Sequence, residues 1–99
     1  MEIGIKQIKL LSIVGQTITV EHQIINPFSA YIDGNEITVF YRYFDNDPRF
    51  ITKYDFYVME TGIFTEEYKA TNGITTVIYN NMPLHVCYKE QIRSENSLL

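Results

Sequence analysis

Few residues in this chain could do chemistry, and they are scattered. Asp45 and Asp47 flank one residue in Asp45-Asn46-Asp47-Pro48, and paired oxygen donors can hold Mg²⁺ or Ca²⁺. A calcium loop needs further acceptors and a closing Glu, which this stretch lacks. Asp, Asn and Pro each favour turns, so a solvated turn is expected, with Arg49 pairing to one acid. His85-x-Cys87 puts two ligand types on one strand face, and His22 could join them. A structural zinc site takes four ligands in recognisable pairs; one Cys and two distant His do not supply them. His22 falls on the apolar face of its own segment, and a lone Cys behaves as a small hydrophobe. A nucleophilic Cys87 would need His85 and a third, orienting group, which is not evident. Ser12, Ser29, Ser94 and Ser97 sit in no nucleophile-elbow pattern, and Gly62 and Gly73 are isolated rather than part of a phosphate loop. The expectation is a protein without catalysis, metal or cofactor.

Aromatic residues are the other chemistry on offer. Residues 39–50 read VFYRYFDNDPRF, with five aromatics in twelve positions. The run Phe40-Tyr41-Arg42-Tyr43 is similar in kind to strand faces that stack single-stranded bases. Charge argues against that use. The chain carries 12 acids and 8 Lys plus Arg, a net of −4, whereas phosphate backbones call for clustered bases. From Asp33 to Glu67 there are eight acids and three bases, a local net of −5. If those acids share a surface, it favours a basic protein partner.

The elements that must position these groups are strands. Ile, Val, Thr, Tyr and Phe make up 43 of the 99 residues, while Ala and Leu together make up 7. β-branched and aromatic side chains fit a pleated surface and lose rotamer freedom in helices. The length suits one domain, expected over 1–90, with a flexible tail over 91–99. Glu2 to Val14 is apolar, but its alternation breaks near Gln7, which suggests a bulge or a late strand start. Gly15-Gln16 suits a two-residue turn. Ile18, Val20, His22 and Ile24 then alternate with polar residues, a half-buried strand. Phe28–Ile32, Glu36–Phe44, Ile51–Glu60, Ile74–Tyr79 and Leu84–Glu90 are further strands. Asp33-Gly34-Asn35 and Asn80-Asn81-Met82-Pro83 punctuate them as turns. One short helix is expected over 65–70, capped by Thr65. Short connections favour antiparallel pairing, so the fold class is mostly β: a compact antiparallel sandwich or partly open barrel of six or seven strands. Cys87 is the lone cysteine, and no apolar run approaches a membrane span. A reducing cytoplasm is the expected setting.

Parity assigns faces to the two aromatic strands if they form a hairpin. With Phe44 opposite Ile51, the residues Ile37, Val39, Tyr41 and Tyr43 share a face with Val58, Phe56, Tyr54 and Thr52. A one-residue slip would bury Asp55 and Lys53 instead, so the apolar pattern selects the first register. The reverse face then carries Glu36, Phe40, Arg42, Lys53, Asp55, Tyr57 and Met59. Phe40, Tyr57 and Met59 are expected to anchor a partner there, with Asp55, Glu36 and Glu60 steering a basic surface. Arg42, Arg49 and Lys53 are the candidate contacts for a phosphate-bearing ligand.

The stretches "FDNDP", "YDFYVMETGIF", "TTVIY" and "PLHVCYKE" between Phe44 and Glu90 resemble a family of small, uncharacterised phage-encoded β proteins. The second stretch has one Gly where the family would have two close together. The last has Cys87 and Tyr88 in place of richer aromatics. The resemblance implies a phage or mobile-element origin and action on host machinery, frequently defence proteins. Three functions are therefore carried forward. The first is a non-enzymatic inhibitor acting through the hairpin face. The second is an oligomeric binder of a nucleotide signal, with its site between subunits. The third is a virion assembly protein that uses exposed strand edges and Leu98-Leu99.

Overall fold

A computed structural model describes residues 1–11, 15–62 and 71–91. They form seven strands: β1 (Glu2–Leu11), β2 (Thr17–His22), β3 (Ile24–Asp33), β4 (Glu36–Asp45), β5 (Thr52–Glu60), β6 (Asn72–Tyr79) and β7 (Met82–Glu90). A single 3₁₀ turn covers Pro48–Phe50. The expected helix over 65–70 and the tail beyond Gln91 lie outside the described residues. Gln91 itself is tied down, because its N–H donates to Lys53 O at 2.8 Å and its Nε2 to Asp55 Oδ1 at 2.9 Å.

The strands make two antiparallel sheets, β1-β4-β3 and β2-β5-β7-β6, which face each other without closing into a barrel. Two tight hairpins follow local chemistry. Gly34 takes φ 65° in the two-residue link between Asp33 and Glu36. Asn80 and Asn81 take φ 50° and 64° between Tyr79 and Met82, the doubly positive geometry that suits strand twist and that Asn tolerates. The turn expected over Asn80–Pro83 is thus two residues long, and Met82 and Pro83 already belong to β7.

The hairpin expected between β4 and β5 does not form. β4 is the central strand of one sheet, between β1 and β3, and β5 lies between β2 and β7 in the other. These are the most deeply buried strands. A central position gives each of them two ladder partners, where a hairpin with open edges would leave backbone groups unpaired. The face assignment nevertheless survives. Ile37, Val39 and Tyr41 are buried on the inner side of one sheet, and Tyr54, Phe56 and Val58 on the inner side of the other. They meet across the core instead of along one ribbon, with the Tyr41 and Phe56 rings 5.6 Å apart. Leu10, Ile25, Val77, Leu84 and Val86 complete this core, and full burial of each such side chain contributes about 1.5–3 kcal/mol.

The alternating run Ile18–Ile24 is also divided. The chain leaves one sheet at His22 and enters the other at Ile24. His22 is therefore buried, while Ile24 is 53% exposed on the far side of the sandwich. β1 needs neither a bulge nor a late start. Its register against β4 is unbroken from Glu2↔Asp45 to Leu11↔Glu36. The change of phase near Gln7 reflects a change of face: Ile8 and Leu10 point into the core, and Ile3 and Ile5 point out.

Candidate functional site

The residues expected to share one face lie on opposite sides of the sandwich. Phe40, Glu36 and Arg42 are on the outer face of β1-β4-β3. Asp55, Tyr57, Met59 and Lys53 are on the outer face of β2-β5-β7-β6, and Glu60 is exposed where β5 ends. Tyr57 and Met59 are 4% and 9% exposed and cluster with Cys87. Asp55 accepts from Thr19 Oγ1 at 2.6 Å and from Gln91 Nε2 at 2.9 Å. These three side chains, expected to be exposed, are instead buried within the protein. Nor do the expected phosphate contacts converge. Arg42 and Lys53 point from opposite faces, and Arg49 forms a bidentate pair with Asp47, with contacts of 2.6–3.1 Å.

Two titratable clusters have the ingredients of a site. In the first, His22 Nδ1 lies 2.9 Å from Asp45 Oδ2 and Nε2 lies 3.2 Å from Tyr41 OH. A Tyr–His–Asp chain can relay protons, but His22 and Tyr41 are buried, at 4% and 2% exposure. The cluster instead locks a corner. Gln23 N–H donates to Asp45 Oδ1 at 2.9 Å, while the Asn46 and Asp47 N–H groups donate to Gln23 Oε1 at 3.0 and 3.1 Å. The crossing at Gln23 and the crossing after Asp45 thereby hold each other. Burial pushes the Asp45 carboxyl up, but the Gln23 N–H, the His22 ring and the Lys6 charge together hold it below the usual carboxylate range. Arg49 does the same for Asp47. Asp47 is thus the capped turn residue expected, and Asp45 is more than that. A groove of about 350 Å³ lies between Met1-Glu2 and residues 45–48, with Asp45 and Asp47 already engaged as described.

The second cluster is His85 and Cys87. Both ring nitrogens of His85 meet hydroxyls, Thr61 Oγ1 at 2.7 Å and Thr76 Oγ1 at 2.9 Å. Cys87 Sγ donates to the His85 carbonyl at 3.7 Å, and burial raises its thiol pKa. A thiol held protonated and covered is a poor nucleophile. His22 lies on the inner face of its sheet and His85 on the outer, so the two do not converge on a metal.

The outer face of β1-β4-β3 is different in kind. Its cross-strand rows read Ile3–Phe44–Ile24, Ile5–Arg42–Asn26, Gln7–Phe40–Ser29 and Lys9–Thr38–Tyr31. The β3 register shifts between Pro27 and Ser29, and Phe28 at that irregularity reaches Arg42, whose Cζ is 4.5 Å from the ring centroid. Tyr31 stacks on Phe40 at 6.1 Å. Ile3, Ile5, Ile24, Phe28 and Tyr31 are 42–67% exposed. Apolar surface thus surrounds one exposed arginine, with the Lys9–Glu36 pair (3.3 Å) at the rim. Three strands of ten residues give the whole face an area of roughly 500 Å², which the apolar side chains share with Gln7, Asn26 and Lys9, and exposed apolar patches on such a face are often functional. Sequence reasoning reached Phe40, Arg42 and Glu36 but missed Ile3, Ile5, Ile24, Phe28 and Tyr31. The signal was present in the phase change of β1, read as a backbone irregularity rather than as exposed isoleucines.

Among the described residues no helix is long and apolar enough to cross a membrane. Compared with protein-family models, curated proteins and solved structures, the chain matches none of them.

Proposed function

We propose that this is a non-enzymatic binding protein that docks a protein partner on the outer face of β1-β4-β3. The observation that carries this reading is the group Ile3, Ile5, Ile24, Phe28 and Tyr31, exposed on one sheet face around Arg42. Aromatic and arginine anchors at the centre of a patch supply most of the energy of typical interfaces. The partner presents apolar groups and a carboxylate for Arg42, a departure from the basic surface that the acidic segment favours. Of those acids among the described residues, only Asp33 and Glu36 lie on this face, at its rim and with Glu36 paired to Lys9, while Asp55 and Glu60 belong to the other sheet. Cytoplasmic action suits a single covered thiol. Stoichiometric capture of a host protein, a defence protein among them, is the use that the phage resemblance implies.

The test is quantitative affinity capture from bacterial lysate with the wild type and with a Phe28→Lys/Tyr31→Lys variant, followed by titration of purified partner. Both positions are exposed, so the fold is retained. The expected result is a partner bound one-to-one by the wild type and lost by the variant. Identical retention by both proteins would sink the reading.

A further inference from the structure

Four strands lie at sheet edges: β1, β3, β2 and β6. Open edges pair with other chains unless something prevents it, and the usual guards are proline, bulges, shortness and charge. β3 carries Pro27 and a register shift beside it. β6 has a shift between Gly73 and Thr75. β2 is only six residues long. β1 is the exception, with ten residues, no proline and an unbroken ladder.

Its lysines do not guard it either. Lys6 Nζ turns back over the Tyr43 ring, 4.6 Å from the centroid. That ring lies across Gly4, so close that a Cβ there would meet it at 2.9 Å. Lys9 is drawn to Glu36 on its own sheet. The chain does cap one end of the edge, since Leu11 N–H donates to Gln16 Oε1 at 2.7 Å. That bond shows that Leu11 N–H points away from β4. By the alternation of antiparallel ladders, the N–H and C=O groups of Ile3, Ile5, Gln7 and Lys9 point the same way. Among the described residues nothing pairs with them.

We infer that the open part of β1 pairs antiparallel with β1 of a second copy, joining two three-stranded sheets into one six-stranded sheet. The second copy is the occupant because the segment is complementary to itself. With Gly4 on the two-fold axis, Ile3 faces Ile5 of the second copy twice over, and the Glu2 and Lys6 positions that fall opposite each other carry opposite rather than like charges. Cross-strand apolar and opposite-charge pairs stabilise a ladder, and the register centred on Lys6 is rejected because it sets like charges face to face. A single self-complementary patch is what a two-fold dimer needs. The seam also makes the two outer apolar faces continuous through Ile3 and Ile5. The seam shares the Ile3 and Ile5 side chains with the docking face but does not rest on that reading, because it follows from the unpaired β1 backbone, and Phe28 and Tyr31 on β3 lie outside it.

Sedimentation equilibrium of the full chain up to about 0.5 mM tests it, because small interfaces of this kind are weak. A reversible monomer–dimer equilibrium is expected. Ile5→Pro removes one outward N–H without touching the β4 ladder and raises the dimer dissociation constant by about tenfold or more. Ile5→Lys, at a position 63% exposed, does the same if the proline variant folds poorly. Phe28→Lys leaves the dimer unchanged. Mixing Ile3→Cys with Ile5→Cys protein under mild oxidation gives a disulfide-linked heterodimer. A chain that stays monomeric at the highest concentration overturns the inference. So does a dimer indifferent to both Ile5 variants, or one lost in Phe28→Lys alone.

Discussion

The two outer faces of this sandwich are built from similar residues and end in opposite conditions. On the β2-β5-β7-β6 side, Tyr57, Met59 and Cys87 alternate with Lys53, Asp55 and Lys89 and are buried to 4–9% exposure. On the β1-β4-β3 side, Phe28, Tyr31, Ile3 and Ile5 are interspersed with Arg42 and Lys9 and stay open. Neither face contributes to the core shared by the sheets. The difference teaches that alternation fixes which face a side chain joins, but not whether that face is covered. The β1-β4-β3 face keeps several exposed apolar side chains whose burial remains to be gained by binding, whereas on the other outer face Ile78, 59% exposed, stands apart from the covered cluster.

The contrast can be broken by experiment. The largest expected effect is at the closed face. Tyr57→Ala or Met59→Ala costs about 2–5 kcal/mol in urea unfolding, whereas Tyr31→Ala or Ile3→Ala stays within roughly 0.5–1 kcal/mol. Equal costs on the two faces would erase the distinction. The corner lock comes next. Asp45→Ala leaves the His22 ring and the Gln23 N–H without their acceptor and costs about 1–3 kcal/mol.

The same carboxylates predict a pH dependence. Asp45 and Asp47 have folded pKa values below the usual range, so their stabilisation is present above the unfolded carboxylate pKa and is lost as pH falls through the folded values. The urea midpoint should therefore hold from neutrality to about pH 5 and decline below about pH 4, more shallowly in Asp45→Asn. For Tyr41 and Tyr54 the sign reverses. Burial raises their pKa values, with Asp45 and Tyr43 adding to Tyr41, and Glu90 to Tyr54. Their stabilisation is lost as pH climbs past about 10. Finally, a thiol reagent should modify Cys87 only on the timescale of opening, while an Ile5→Cys thiol in the Cys87→Ala background reacts at once. Prompt modification of Cys87 would show that the closed face is not closed. The smallest effect is Lys9→Ala, within about 0.5 kcal/mol for an exposed pair.

Much of this architecture can be read from the chain. The strand content, the turns at Gly34 and Asn80-Asn81, and the inner positions of Ile37, Val39, Tyr41, Tyr54, Phe56 and Val58 follow from residue types and a period of two. What misleads is locality. β4 and β5 are neighbours in sequence and match as a hairpin, yet each gains more as the centre of a separate sheet. The candidate site was half legible for the same reason. Phe40, Arg42 and Glu36 lie on a strand that was correctly phased, but their companions come from β1 and β3, which pairing alone brings beside them.

The sequence by itself thus determined which side of each strand is apolar, because side chains alternate whatever the strand pairs with. The tertiary structure decided which strands pair, and so which outer face stayed bare. Pairing depends on the summed burial and hydrogen bonding of distant segments, which no local pattern records.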